Sequence, residues 1–325
     1  MLNNIKNLKE NILLVGTGNM AIAYAKVLQS MNLNFTMVGR SKQRAEIVSS
    51  QLKIPVYSGG IKNYLELLPN RHRYAIVAVN IEELANVTEL LLDSGINYIL
   101  VEKPGALYLK ELENLIEKTN KIDAKVFIAY NRRFYSSVLK AKEIIDRDGG
   151  IKSIVFEFTE WSHVVSNLNK SKEALEQWFF GNSTHVIDLA FYLSGKPKEL
   201  ICFKKGSLSW HPSGSTFVGS GITENNVLFS YHANWEAPGR WGIEIMTNLH
   251  RLYLRPLEEL SIQNIGDLEI KKVDLLDNLD KEFKPGLYRQ VHAFLNFEKS
   301  SELLPINEHY FNYVNIYNKI VEGRN

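Results

Sequence analysis

Gly16-Thr17-Gly18-Asn19-Met20-Ala21 follows a short apolar run and opens a helical pattern, the setting in which a G-x-G-x-x-A spacing binds a dinucleotide. Gly16 permits the tight turn, Gly18 lets the backbone approach a pyrophosphate, and Ala21 is small enough for close helix-to-strand packing. The pyrophosphate would rest on the helix start beside Thr17, Asn19 and Met20, where free amides and the helix dipole favour an anion. An NAD-binding chain usually carries Asp or Glu about 20 residues past the glycines. Here the chain reads Gly39-Arg40-Ser41-Lys42, with Arg44 beyond. A guanidinium beside a hydroxyl suits a ribose 2′-phosphate, which a carboxylate would repel. Arg40 and Ser41 therefore predict NADP(H) in preference to NAD(H).

Glu102-Lys103-Pro104 closes an apolar strand over 98–101. That puts Lys103 at the carboxyl edge of a sheet, where open α/β folds bind their ligands. Further on, His185 and Asp188 stand three apart in a run whose apolar positions 186, 187, 189, 190 and 193 and terminal Gly195 predict a helix buried on most sides. Residues i and i+3 share a helix face, so both side chains can address one ligand. Polar groups in a buried helix need partners, and a hydroxyl-bearing substrate is one. A metal would need further ligands, and His163, His211, His232 and His250 are scattered through other segments; no metal site is expected.

The elements that must position these residues alternate along the first third. Strands are expected over 12–15, 35–38, 74–79, 98–101 and 126–129, with helices over 20–31, 42–52, 82–94 and 109–120 between them. Strands separated by helices of that length imply parallel pairing in a doubly wound, Rossmann-type sheet. Beyond it come many short strand-like runs, at 153–160, 198–204, 215–219, 226–235, 242–247, 251–255 and 269–273. They predict an α+β domain with a large open, mostly antiparallel sheet. The division expected is 1–130 for dinucleotide binding and 131–325 for substrate binding and oligomerisation. Trp161 and other aromatic residues near segment ends could line a sugar-sized pocket.

At this point the chain resembles the glucose-fructose oxidoreductase, inositol dehydrogenase and MocA (Gfo/Idh/MocA) family. The marks occur in order: the Gly16 loop, Glu102-Lys103-Pro104, Tyr130-Asn131-Arg132-Arg133-Phe134, and Thr184-His185-Val186-Ile187-Asp188. The resemblance implies a Lys103 between nicotinamide ribose and substrate, a cis Pro104, and cofactor contacts from Glu102 and Asn80. Asn80 stands in Ala78-Val79-Asn80, where the family commonly has Thr-Pro, so that contact departs from its pattern. Arg132, Trp161, His185 and Asp188 complete the substrate side, with His185 as general acid or base because its ordinary pKa lies near neutrality. Lys103 would polarise the reacting oxygen, and Asp188 would orient the substrate or His185. The implied activity is hydride transfer between a nicotinamide and a carbonyl or carbinol carbon of a sugar, sugar nucleotide or related polyhydroxylated compound, with relatives in surface-polysaccharide synthesis. A dinucleotide-sensing regulator of the same fold and an imine reductase are the alternatives.

Composition sets the outer bounds. The 325 residues are 45% hydrophobic and 23% charged with net charge +2, an ordinary globular mix that advertises neither nucleic acid nor membrane. No stretch approaches the ~18 apolar residues of a membrane span. Residues 3–10 are mostly polar and the first apolar run is too short for a secretory leader. With one cysteine, Cys202, the chain fits a reducing, cytoplasmic setting. Open-faced sheets of this family pair between subunits, so a homodimer or homotetramer through the C-terminal sheet is expected.

Overall fold

The computed structural model describes residues 12–68 and 72–324; the polar residues 3–10 lie outside them. The chain divides into two compact units, Met1–Asn131 with Leu279–Tyr310, and Arg132–Asn278 with Phe311–Asn325. The first boundary falls within a residue of 130/131, but the second unit is not contiguous. Residues 279–310 return to the nucleotide-binding unit, which corrects the simple division 1–130 and 131–325.

In the first unit the strands are β1 (Ile12–Val15), β2 (Phe35–Val38), β3 (Val56–Tyr57), β4 (Tyr74–Val77), β5 (Tyr98–Glu102) and β6 (Lys125–Ala129). All pair in parallel, in the order β3-β2-β1-β4-β5-β6. Every residue of β1 and β4 is buried, as expected of strands covered on both faces. The order reverses between β1 and β4, which makes the carboxyl ends of these strands the switch point where such sheets bind ligands. The returning segment supplies the helix Leu287–Leu295, packed against Asn19–Ser30, and a short strand antiparallel to β6.

The second unit holds β7 (Ser153–Glu157), β8 (Pro197–Lys205), β9 (Thr216–Thr223), β10 (Leu228–Asn234), β11 (Gly242–Met246), β12 (His250–Leu254), β13 (Ser261–Asn264) and β14 (Lys271–Lys272); the antiparallel strand on β6 is β15 (Leu304–Pro305). The eight strands run β14-β13-β12-β11-β7-β10-β9-β8, antiparallel throughout except for β7 beside β10. Alternation sorts the faces. Ile154, Phe156, Tyr231, Ile243 and Ile245 point inward, while Val155, Ile201, Phe203, Val218 and Leu228 are exposed. The helix Thr184–Ser194 lies against β7 and β11 and is buried along most of its length; of the apolar positions that predicted it, 186, 187, 189 and 190 are buried and Leu193 is half-buried. Among the described residues, no helix is long and apolar enough to cross a membrane.

Candidate active site

The glycine turn is built as its spacing requires. Gly16 has φ +129°, and a Cβ there would overlap the Ala78 carbonyl, so only glycine fits between β1 and β4. Gly18 differs. Its φ is −80° and a Cβ added to it would meet nothing within 4 Å; no protein contact demands glycine there. The helix it starts, Asn19–Ser30, has no side-chain cap and no acidic residue in its first turn. Uncapped amides and open space beside Gly18 are what a pyrophosphate needs, so the residues present fit a dinucleotide. Thr17 is fixed by its carbonyl, which accepts from Arg44 Nε at 3.0 Å. Asn19 is exposed and Met20 half-buried at the helix start.

At the end of β2, Ser41 caps the helix Lys42–Leu52, its Oγ accepting from the Arg44 amide at 3.3 Å. Arg40 is exposed and meets Glu83 at 2.9 Å. Reading outward from β2, the sequence shows no acid there; the fold brings one from the turn after β4. Asn80 starts that turn, the 3-10 helix Ile81–Glu83, as its N-cap residue.

Lys103 follows β5 directly, half-buried, two strands across from β1 at the same carboxyl edge. Its neighbours on both sides are tied down. Glu102 accepts from the Tyr24 hydroxyl at 2.7 Å, and the Pro104 carbonyl lies 2.9 Å from His309 Nε2. The Lys103–Pro104 bond is cis, as the family resemblance implied. Tyr24 is fully buried; desolvation first, and then the charge of Glu102, hold its phenol well above the usual range. It therefore acts as a donor, never a phenolate. Neither Tyr24 nor His309 was picked out by the sequence, because each anchor comes from a distant segment.

In the second unit, His185 is buried on the helix Thr184–Ser194, its ring centroid 6.1 Å from that of Trp241. The indole N–H of Trp241 is buried and meets no acceptor among the described residues. Buried donors are rarely left so without a ligand or water to receive them. Arg132 lies over the same indole, its guanidinium carbon 4.6 Å from the Trp241 ring centroid. Asp188 is engaged by a neighbour that its spacing did not announce. Arg133 grips it bidentately, Nε to Oδ2 at 2.8 Å and an Nη to Oδ1 at 2.6 Å, with both side chains almost wholly buried. That pairing balances the Asp188 charge inside the unit.

Trp161 stands just past β7, 46% exposed, its Nε1 donating to the Gly239 carbonyl at 2.8 Å. Arg240 is sandwiched between Trp161 and Trp241, 4.7 and 4.6 Å from their ring centroids. The residue before Trp161 carried no sequence signal. Glu160 is 1% exposed and accepts from Ser183 Oγ at 2.8 Å and from Asn182 Nδ2 at 3.0 Å. Burial pushes its carboxyl up, and this prevails over the lowering by Ser183, Arg240, Trp178 and Asn182. Among the described residues, no group of three or more His, Cys, Asp or Glu side chains is placed to hold a metal ion.

The parallel sheet, with its glycine turn at the switch point, defines a Rossmann-type dinucleotide-binding unit. Residues 10–130 match the model of the Gfo/Idh/MocA oxidoreductase family, NAD-binding Rossmann fold. The myo-inositol 2-dehydrogenase of Thermotoga maritima is 29% identical over 111 residues, 34% of this chain and 33% of that protein. The match thus spans about a third of that relative. The whole chain shares its fold with solved structures. The UDP-N-acetylglucosamine 3-dehydrogenase of Acidithiobacillus ferrooxidans has TM-score 0.73 at 13% identity over 97% of each chain. Levoglucosan dehydrogenase, in complex with NADH and levoglucosan, has TM-score 0.74 at 18% identity over 97% of this chain and 96% of that one.

Proposed function

We propose that the protein is an NAD(P)-dependent oxidoreductase acting on a CH–OH or C=O group of a sugar, sugar nucleotide or related polyhydroxylated substrate. The carrying observation is the seat of Lys103, on the same carboxyl edge as the glycine turn and anchored on both sides by Tyr24 and His309. When bound, the dinucleotide supplies or takes up the hydride, which leaves the protein to orient the substrate and handle a proton. Gly16, Thr17, Gly18, Asn19 and Met20 hold the pyrophosphate, and Asn80 and Glu102 border the nicotinamide ribose. Lys103 polarises the reacting oxygen. His185 carries the proton as general acid or base, and Arg132 and Trp161 bind substrate. Asp188 serves as a positioning residue, holding the His185 helix to Arg133.

NADP(H) is favoured over NAD(H). A surface pair such as Arg40 with Glu83 is worth only about 0–1 kcal/mol, so a 2′-phosphate can draw Arg40 away, with the Ser41 hydroxyl beside it. The buried thiol of Cys202 fits a reducing, cytoplasmic setting. The exposed row Ile201, Phe203, Val218 and Leu228 supports a homodimer or homotetramer through the outward face of the second sheet. Phe203→Asp with Leu228→Asp should yield monomers by light scattering; an unchanged mass overturns that assembly.

Nicotinamide absorbance followed across a sugar and sugar-nucleotide panel, with NADPH and NADH side by side, tests the activity. Lys103→Ala and His185→Ala should each lower kcat/KM by roughly 10² or more, the usual cost of losing acid–base help. Turnover with no substrate while cofactor binds would make the chain a dinucleotide sensor instead, and equal or tighter NADH binding would reverse the cofactor preference.

A further inference from the structure

A cavity of about 690 Å³ opens in the second unit beside β7, lined by Glu160, Trp161, Ser162, Trp210, Trp235 and Glu236 among others. Its volume falls in the range of about 300–1,000 Å³ usual for small-molecule sites. Its walls are rigid. Trp210 stacks on the buried Trp235 with ring centroids 5.6 Å apart and planes 2° from parallel, and its Nε1 donates to Ser162 Oγ at 3.0 Å. Trp161 is half-exposed yet fixed through Gly239 and Arg240. Such a broad exposed indole, immobilised in advance, loses little freedom when a ligand covers it.

The polar lining selects among ligands. Glu160 and Glu236 are acceptors, with Glu236 already receiving the Ser215 hydroxyl; Ser162 and Ser209 add hydroxyls; and no Lys or Arg lines the cavity. With Glu160 answered only by Arg240 at 3.7 Å and Glu236 by no Lys or Arg of the lining, the wall disfavours a phosphate or diphosphate. It suits instead a neutral ring with apolar C–H faces and many hydroxyl donors. The cavity is also tied to His185 within the same unit. Glu160 bonds Asn182 and Ser183, which run directly into the helix bearing His185. Arg240 leads to Trp241, which packs against the His185 ring.

We infer that this cavity receives the part of the substrate that does not react, an uncharged second sugar ring laid on Trp161 with its hydroxyls donating to Glu160 and Glu236. The inference rests on the carbohydrate-oxidoreductase reading and narrows it. The preferred substrate is a disaccharide or a glycoside with a neutral aglycone, ahead of a free monosaccharide or a sugar nucleotide.

Calorimetric titration of the full chain with maltose, cellobiose and sucrose, against glucose and UDP-glucose, tests this without turnover. At least one disaccharide should bind about tenfold tighter than glucose, the effect of one good aromatic contact, and tighter than UDP-glucose. Trp161→Ala should abolish that difference, and Trp161→Phe, which keeps an aromatic face but not the bond to Gly239, should retain part of it. Glucose matching every disaccharide, UDP-glucose binding tightest, or Trp161→Ala weakening glucose and disaccharide equally would each overturn the inference. The two readings fail separately. Trp161-dependent disaccharide binding with no absorbance change supports the cavity and defeats the oxidoreductase. Oxidation of glucose with no disaccharide preference does the reverse.

Discussion

Asp188 and Glu160 are both buried carboxylates in the second unit, one on the helix of His185 and the other bonded to the residues just before it. Their surroundings differ. Asp188 is met by a bidentate guanidinium in a dry setting, whereas Glu160 is met by hydroxyl and amide donors, with Arg240 at 3.7 Å. A fully matched buried pair serves the fold. A carboxylate left without a close cation, beside a cavity, is poised to meet a ligand, and perturbed groups in clefts mark functional sites.

The largest effect expected from this contrast belongs to the matched pair. Removing one partner of a buried ion pair leaves the other uncompensated, at a cost of about 3–5 kcal/mol. Asp188→Ala or Arg133→Ala should therefore lower the urea midpoint markedly, while the double change Arg133→Met with Asp188→Leu recovers much of the loss. If Asp188→Ala left stability within error but abolished substrate binding, Asp188 would belong with the substrate groups rather than with the scaffold.

Much of this arrangement is legible in the order of residues, and the reasons for the rest are physical. The helix Lys42–Leu52 and the strands Ile12–Val15 and Phe35–Val38 coincide with their expected bounds, because apolar period and the Ser41 cap are local signals. The i, i+3 relation of His185 and Asp188 was readable for the same reason. The partner of Asp188 was not, since Arg133 lies 55 residues away and spacing says nothing about such pairs. Arg40 looked free of acids until the turn after β4 delivered Glu83, and Lys103 looked unsupported until Tyr24 and His309 arrived from opposite ends of the chain. Glu160 was invisible because a lone glutamate at the end of a strand-like run reads as solvated. The return of 279–310 to the first unit escaped notice because nothing in its composition distinguishes it from the segment before.

A third buried carboxylate sharpens the comparison with an effect of middle size. Asp148, with its side chain fully buried, is held 2.6 Å from His250 Nδ1 and 2.7 Å from Thr247 Oγ1. Burial pushes its carboxyl up, but the bonds from His250 and Thr247 and the charges of His250 and Arg147 outweigh that and leave it below the usual value. A lowered folded pKa contributes stability above the unfolded pKa and loses it as pH falls through the folded one. Asp148→Asn should thus cost about 1 kcal/mol at neutral pH, as for one lost hydrogen bond, and should narrow its gap to wild type on acidification below pH 4. A gap that widens in acid would refute the assignment.

The smallest effect, and the most diagnostic, is expected at Glu160, where the sign reverses. Its raised folded pKa means that the fold prefers the protonated acid, so its contribution is complete below the ordinary value of 4.5 and is lost as pH rises through the folded pKa. Glu160→Gln keeps the shape, gives up one acceptor for Asn182, and removes the need to bury a charge. Its stability at neutral pH should lie within about 1 kcal/mol of wild type. Between acid and neutral pH the difference should move in favour of the variant, opposite to the course expected for Asp148→Asn. Urea titrations of both variants across that range decide the matter. If Glu160→Gln and Asp148→Asn shifted in parallel, Glu160 would be a matched structural carboxylate like Asp188, and the cavity beside it would lose its distinguishing acceptor.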